Sequence, residues 1–216
     1  MGRAVRFLAE RGVRQFLDIG SGIPTMGNVH EIAQQAAPDV RVLYVGIDTV
    51  AVLHSRQLLA GNDQASAIEG DLRHARELLD QLHTPELAAI IDLDQPVGLI
   101  LAAVLHFVPD DDEAYGAVSM LREHLWQGSW LVISHAAVEG YAAEDAAAAT
   151  RAFERTTAAH AGLRRHDEIA RFFDGLDLVD PGLVWLPDWR PAPVDPQDFS
   201  AAPHRSGLLA GVAQIR

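Results

Sequence analysis

The order of hydrophobic patterns constrains this chain more than any single motif. Short β-rich runs fall at Gln15–Ile19, Val40–Ile47, Ala65–Glu69, Val97–Val104, Ser129–Ser134, Leu176–Leu186 and Leu208–Ile215. Helical patterns fill all but the last of the gaps between them, at Asn28–Ala37, Val50–Ala60, Arg73–Leu82, Asp111–Trp126 and Ala142–Ala161, with a shorter one at Asp167–Phe173. Parallel neighbours need a long crossover, and helices of this length supply one, so the alternation predicts βαβ units with helices on both faces of the sheet. Val97–Val104 carries no polar side chain and suits a central strand. The final gap is different. It holds Pro187, Pro191, Pro193, Pro196 and Pro203, so no helix crosses it, and the last two strands are expected to form an antiparallel pair at a sheet edge. The expectation is one α/β domain over residues 1–216, with a seven-stranded, mostly parallel sheet whose last strand is reversed.

Punctuation supports these boundaries. Asn28 with Glu31, and Asp110 with Glu113, have the spacing of capping boxes. Gly61, Gly128, Gly162 and Gly175 each follow a helical pattern where a left-handed residue is wanted. The triplet Asp110-Asp111-Asp112 reads as a first helical turn, where the macrodipole favours carboxylates, ahead of a metal site.

Composition removes whole classes of chemistry. There is no cysteine, and all 17 basic residues are arginine. Thiolate nucleophiles, iron–sulfur clusters and cysteine-bound zinc are excluded, as are P-loop nucleotide hydrolysis, Schiff-base catalysis and the Tyr-x-x-x-Lys pair of short-chain dehydrogenases. The net charge of −13 opposes binding to nucleic acid. No apolar run reaches membrane-spanning length and the first residues lack a signal-peptide core, so a cytoplasmic protein with no membrane partner is expected.

The candidate site begins at Phe16-Leu17-Asp18-Ile19-Gly20-Ser21-Gly22, a strand entering a Gly-x-Gly turn. The third position of a dinucleotide fingerprint is Thr25, which fits a pyrophosphate poorly. Asp18 favours a ligand with a cationic group, such as the ammonium and sulfonium of S-adenosylmethionine, over two phosphates; its alternative role is to orient the amides of the turn. Asp48, ending Tyr44-Val45-Gly46-Ile47-Asp48, stands where a carboxylate accepts ribose hydroxyls, or else caps the next helix. Asp71 and Leu72 end the third strand, placed for an adenine amino group and ring. After the fourth strand comes Ala102-Ala103-Val104-Leu105-His106, at the carboxyl edge where ligands bind in open α/β sheets. His106 is a candidate general base; it could equally close over adenine or bond a carbonyl.

Residues 15–31, with Asp18-Ile19-Gly20-Ser21-Gly22-Ile23-Pro24-Thr25 and Asn28-Val29-His30-Glu31, resemble a family of bacterial S-adenosyl methyltransferases of mostly unknown substrate. So do Asp71-Leu72-Arg73, Leu105-His106-Phe107-Val108-Pro109, Ser134-His135 and Trp189-Arg190-Pro191. The resemblance implies a Rossmann-like class I methyltransferase fold with cofactor contacts at Asp18, Gly20, Gly22, Asp48 and Asp71. Ser21, Thr49, Leu72 and Ala103 complete the candidate cofactor set. Members usually carry an N-terminal arm before the first helix, whereas this sequence opens in that helix, so it is read as lacking the arm.

Other readings fit less well. No His-Glu-x-x-His occurs, Ala102-Ala103-Val104 offers none of the carboxylates of the ion-dependent O-methyltransferase type, and there is no Asn-Pro-Pro-Tyr motif at that place. Ser134 and His135 are adjacent in a strand and point to opposite faces, so they cannot pair locally. The loop Trp185–Ser206 is either a wall of the substrate pocket or an edge excursion. The expected function is methyl transfer from S-adenosylmethionine, without a metal, to a small, secondary-metabolite-like acceptor. A nicotinamide-dependent oxidoreductase and a non-catalytic S-adenosyl-ligand-binding protein are the alternatives. Nothing in the sequence identifies the oligomeric state, a homodimer being the assembly considered.

Overall fold

In a computed structural model, residues 1–23, 28–141, 162–192 and 199–216 are described. The predicted helix Ala142–Ala161, together with Pro24, Thr25, Pro193 and Pro196, lies outside them.

Helix α1 (Gly2–Glu10) leads into β1 (Gln15–Ile19), followed by α2 (Val29–Ala36), β2 (Arg41–Gly46), α3 (Thr49–Leu58) and β3 (Ala65–Glu69). The second half runs through α4 (Ala75–Leu82), the short α5 (Pro85–Ala88), β4 (Gly98–Ala102), α6 (Asp111–Glu123) and β5 (Trp130–Ala136). It ends with α7 (His166–Ala170), β6 (Asp177–Leu178), β7 (Val184–Trp185) and β8 (Leu208–Gln214). The sheet order is β3-β2-β1-β4-β5-β8-β6, with β7 also paired to β8. Strands one to five are parallel, and β8 runs antiparallel to β5, β6 and β7. The mixed sheet and its reversed end match the expectation from sequence.

Alternation along the strands divides the core into two layers. Leu17, Ile19, Leu43 and Leu101 belong to the layer shared with α4 and α6. Phe16, Val42, Tyr44 and Ile100 belong to the layer shared with α1, α2 and α3. In that second layer Phe7 of α1 meets Trp130 and Trp189 edge to face, at 6.1 and 5.8 Å between ring centres. The strand order runs outward in both directions from the β1–β4 pair, so the carboxyl ends of those two strands form the switch point at which such sheets bind ligands.

One strand expectation is corrected. Leu176–Leu186 is two short strands with Asp180-Pro181-Gly182 between them, so the sheet has eight strands among the described residues. Proline has no ladder donor, and Gly182 takes a positive φ of 89°, so the chain turns there. Gly61, Gly128 and Gly175 are left-handed as predicted, whereas Gly162 is not among the left-handed residues. A Cβ at Gly162 would lie 3.1 Å from Pro109 Cα, so close approach accounts for the glycine. At the start of α2, Glu31 accepts from the Asn28 N–H at 3.0 Å; at the start of α6, Asp110 accepts from the Glu113 N–H at 2.9 Å.

Candidate functional site

The glycine turn is shaped by two different demands. Gly20 has φ 82°, and a Cβ there would come within 2.3 Å of Val104 Cγ2, so both conformation and space exclude a side chain. Gly22, with φ 69°, has nothing within 4 Å of an added Cβ, so only its backbone conformation asks for glycine. The Gly20 N–H donates to Val45 O at 2.8 Å, tying the turn to β2.

Beside this turn, at the carboxyl ends of the strands, lies a cavity of about 640 Å³. Gly20, Ser21 and Gly22 form one part of its wall, Tyr44, Ile47 and Asp48 a second, Asp71, Leu72 and Arg73 a third, and Val104, Phe107 and Val108 a fourth. Its size is that of a small-molecule or cofactor site. Of the residues predicted from sequence, Gly20, Ser21, Gly22, Asp48, Asp71 and Leu72 line it together.

The three carboxylates differ in what already holds them. Asp48 Oδ1 accepts the Ala51 N–H at 2.6 Å as the cap of α3, and Oδ2 has no hydrogen bond among the described residues. Helix capping and ligand contact are therefore compatible in this one residue. Asp71 accepts from the Arg73 N–H at 2.9 Å and is forked by the Arg73 guanidinium at 2.6 to 3.0 Å. Burial pushes the Asp71 carboxyl up, but the bonds and charge of Arg73 outweigh it and hold the group below its ordinary range. Asp18 is 1 % exposed, and neither of its oxygens has a hydrogen-bond partner. Burial raises its pKa to about 7, opposed only by the positive charge of the chain's N-terminus. A buried carboxyl without donors is costly when ionised, and burial accordingly favours its neutral form. Asp18 lies in register with Tyr44 of β2, one residue before Ile19 and the glycine turn.

Four predicted site residues lie off the cavity lining: Asp18, buried behind the glycine turn, and Thr49, Ala103 and His106. The Thr49 hydroxyl donates to Glu69 Oε2 at 2.8 Å, joining the start of α3 to the end of β3. Ala103 takes φ 55° and donates its N–H to Ser134 O and Oγ at 3.0 and 3.1 Å. His106 is 2 % exposed, with its ring 4.3 Å from Phe107 and 5.6 Å from His135. Burial, then the nearby Arg164 charge, lowers its pKa to about 4. The ring is buried beside that lining, where burial and the Arg164 charge favour its neutral form. The strand tip does not itself carry the ring into the cavity lining. Instead β4 ends at Ala102, and the left-handed Ala103 turns the chain into a 3-10 segment, Leu105–Phe107, that buries the ring.

Ser134 and His135 diverge as expected. Ser134 accepts from Ala103, while His135 lies beside Arg164 and stacks over Phe172 at 6.1 Å. Tyr44 was not singled out from sequence. Its hydroxyl accepts the His30 N–H at 3.0 Å and lies 2.7 Å from His30 Nδ1, pinning the first turn of α2 to β2 beside the cavity. The signal was present, since His30 sits in the Asn28-Val29-His30-Glu31 motif and Tyr44 in the strand ending at Asp48. The tryptophan loop returns to α1: Arg3 donates to Leu186 O at 2.5 Å, and Trp189 and Arg3 line a second, water-sized cavity of about 20 Å³ with Ala102 and Ser134.

Comparison with known proteins gives a consistent answer. The sequence model of a family described as S-adenosyl methyltransferase matches residues 1–216. A crystal structure of a candidate methyltransferase from Thermobifida fusca YX shares 34 % identity at a TM-score of 0.86, covering 100 % of this chain and 78 % of that one. A DUF574 family protein from Streptomyces avermitilis MA-4680 shares 38 % identity at a TM-score of 0.85, covering 100 % and 80 %. N-methyltransferase NodS from Bradyrhizobium japonicum WM9, solved with S-adenosyl-L-homocysteine, shares the fold at 14 % identity and a TM-score of 0.55, covering 99 % and 85 %. No curated protein matches the sequence.

Proposed function

The chain belongs to the S-adenosyl methyltransferase family, and on that premise we propose how its residues hold the cofactor and what kind of acceptor it serves. It is an S-adenosylmethionine-dependent methyltransferase. The residues fit that cofactor, and the observation that carries the fit is Asp18, a buried carboxyl with both oxygens unpartnered beside the glycine turn. Asp18 serves the cationic methionine end from behind the glycine turn. Gly20, Ser21 and Gly22 let the backbone approach closely. Asp48 offers its free oxygen to the ribose, and Asp71 and Leu72 face the adenine, with Arg73 holding Asp71 ionised. Thr49 and Ala103 act behind these contacts, one bracing the start of α3 and the other ending β4.

Bound there, S-adenosylmethionine supplies a methyl group already activated by a sulfonium. The chain's own task is to align the acceptor, exclude water and hold the cofactor still, which accounts for much of the rate of such a transfer. The reading needs neither a metal nor a histidine base, and His106 is assigned to packing. We take the acceptor to be a small, secondary-metabolite-like molecule and the reaction to be cytoplasmic. No described helix is long and apolar enough to cross a membrane.

Calorimetric titration with S-adenosyl-L-homocysteine and with a nicotinamide dinucleotide tests the assignment. One-to-one binding of the former alone is expected. Binding of the dinucleotide alone would sink it.

A further inference from the structure

The turn that carries Phe107 and Val108 into the cavity is gripped from behind. Gly162 donates its N–H to His106 O at 2.7 Å. Arg164 Nη1 donates to Leu105 O at 3.1 Å, and Nη2 donates to Val108 O at 2.9 Å. Three of the four carbonyls from Leu105 to Val108 thus accept bonds from the three-residue segment Gly162–Arg164. The Arg164 guanidinium is itself fixed. Nε donates to Asp111 Oδ1 at 2.9 Å, and Nη1 lies 2.9 Å from His135 Nε2, which accepts because Nδ1 of that ring donates to Ala136 O at 2.8 Å. The backbone of Arg164 is fixed as well, donating to Ala136 O at 3.3 Å and accepting from the Val138 N–H at 3.0 Å. The residue is 3 % exposed, so water does not compete for these bonds.

No other side chain could replace this arrangement. Two carbonyls, a carboxylate and an imidazole nitrogen are met in the fixed plane of a guanidinium, whereas a lysine ammonium is a point charge on a flexible stem. The carbonyls so held belong to a turn whose side chains line the cavity together with Leu72. We infer that Arg164 is a positioning residue for the cofactor, which sets from outside the cavity the place of the Phe107–Val108 wall against which adenine lies. The inference rests on the assignment of adenine to the Asp71–Leu72 end.

The test compares S-adenosyl-L-homocysteine with S-ribosyl-L-homocysteine, the same ligand without adenine, by competition calorimetry on the wild type, R164M, R164K and D48A. R164M should lower the ratio of the two affinities about tenfold and R164K about threefold, with the adenine-free ligand bound as by the wild type. Loss of both ligands in equal proportion, or an unchanged ratio, overturns the positioning role, because a merely structural defect does not single out adenine. If R164M fails to fold, the ratio in R164K decides. D48A should weaken both ligands alike, since both carry the ribose. A D48A protein that binds both normally overturns the cavity reading itself, and the inference with it.

Discussion

Two buried ionisable groups, one in each layer of the core, are treated in opposite ways. On the α1–α2 side Asp18 is surrounded by packing and accepts no hydrogen bond. On the α6 side Arg164 uses every nitrogen of its guanidinium on fixed partners, among them the half-exposed Asp111. Folding alone satisfies the guanidinium of Arg164 and leaves the Asp18 carboxyl without a hydrogen bond, which the proposed cofactor assignment turns to use. A satisfied buried charge belongs to the scaffold; an unsatisfied one at a strand end belongs to a site.

The contrast breaks first on stability. R164M takes the donor from two buried carbonyls and from His135 Nε2 and should cost about 1–3 kcal/mol for each acceptor left unsatisfied, read in urea unfolding. Replacing Asp18 should act in the other direction on the ligand-free protein. Its pKa is raised from 3.8 to about 7, so the folded state favours the neutral acid. That contribution is fully present below about pH 4 and is lost as pH rises to about 7. D18N should flatten this decline, melting above the wild type at pH 7 and close to it at pH 4, while binding S-adenosyl-L-homocysteine about 100-fold more weakly. A D18N protein no more stable at pH 7 than the wild type would remove the distinction between the two groups.

Smaller effects sharpen it. D48A should weaken S-adenosyl-L-homocysteine by about 1–3 kcal/mol in calorimetry, since an unshared oxygen is lost along with a helix cap. H106N should keep kcat within about threefold of the wild type, well short of the 10²–10⁴ that loss of a general base produces. A fall of that larger size in a folded H106N would return the histidine to the chemistry. T49V removes an exposed hydroxyl–carboxylate bond and should change the melting behaviour by no more than a few tenths of a kcal/mol.

Much of this was legible because period and punctuation agree. Strands one to five and the last strand announce themselves as apolar runs, and the acids that follow them fall at strand ends, where the cavity forms. Asp180-Pro181-Gly182 was a turn signal inside an apolar stretch, and the long run around it concealed the break. The hold of Arg73 on Asp71 spans two residues, yet only the local 3-10 geometry makes them meet. The burial of the His106 ring was not legible because its direction depends on Ala103, an alanine in a left-handed conformation that residue type does not advertise. Arg164 escaped for a different reason: its partners come from two distant stretches of chain, Leu105–Asp111 and His135–Val138, and no spacing rule joins them to it.

The contact between Gly20 and Val104 means that two walls of the cavity meet at a single methyl group. An added Cβ at residue 20 and Cγ2 of residue 104 compete for the same space, 2.3 Å apart, across the join between the first and fourth strands. Bulk at one position is therefore exchangeable for bulk at the other. G20A alone should be poorly tolerated, and G20A/V104A should recover the part of the loss that is steric, leaving the part that belongs to φ. The glycine of the motif is thus half of a two-residue fit, and the other half is written eighty-four positions later.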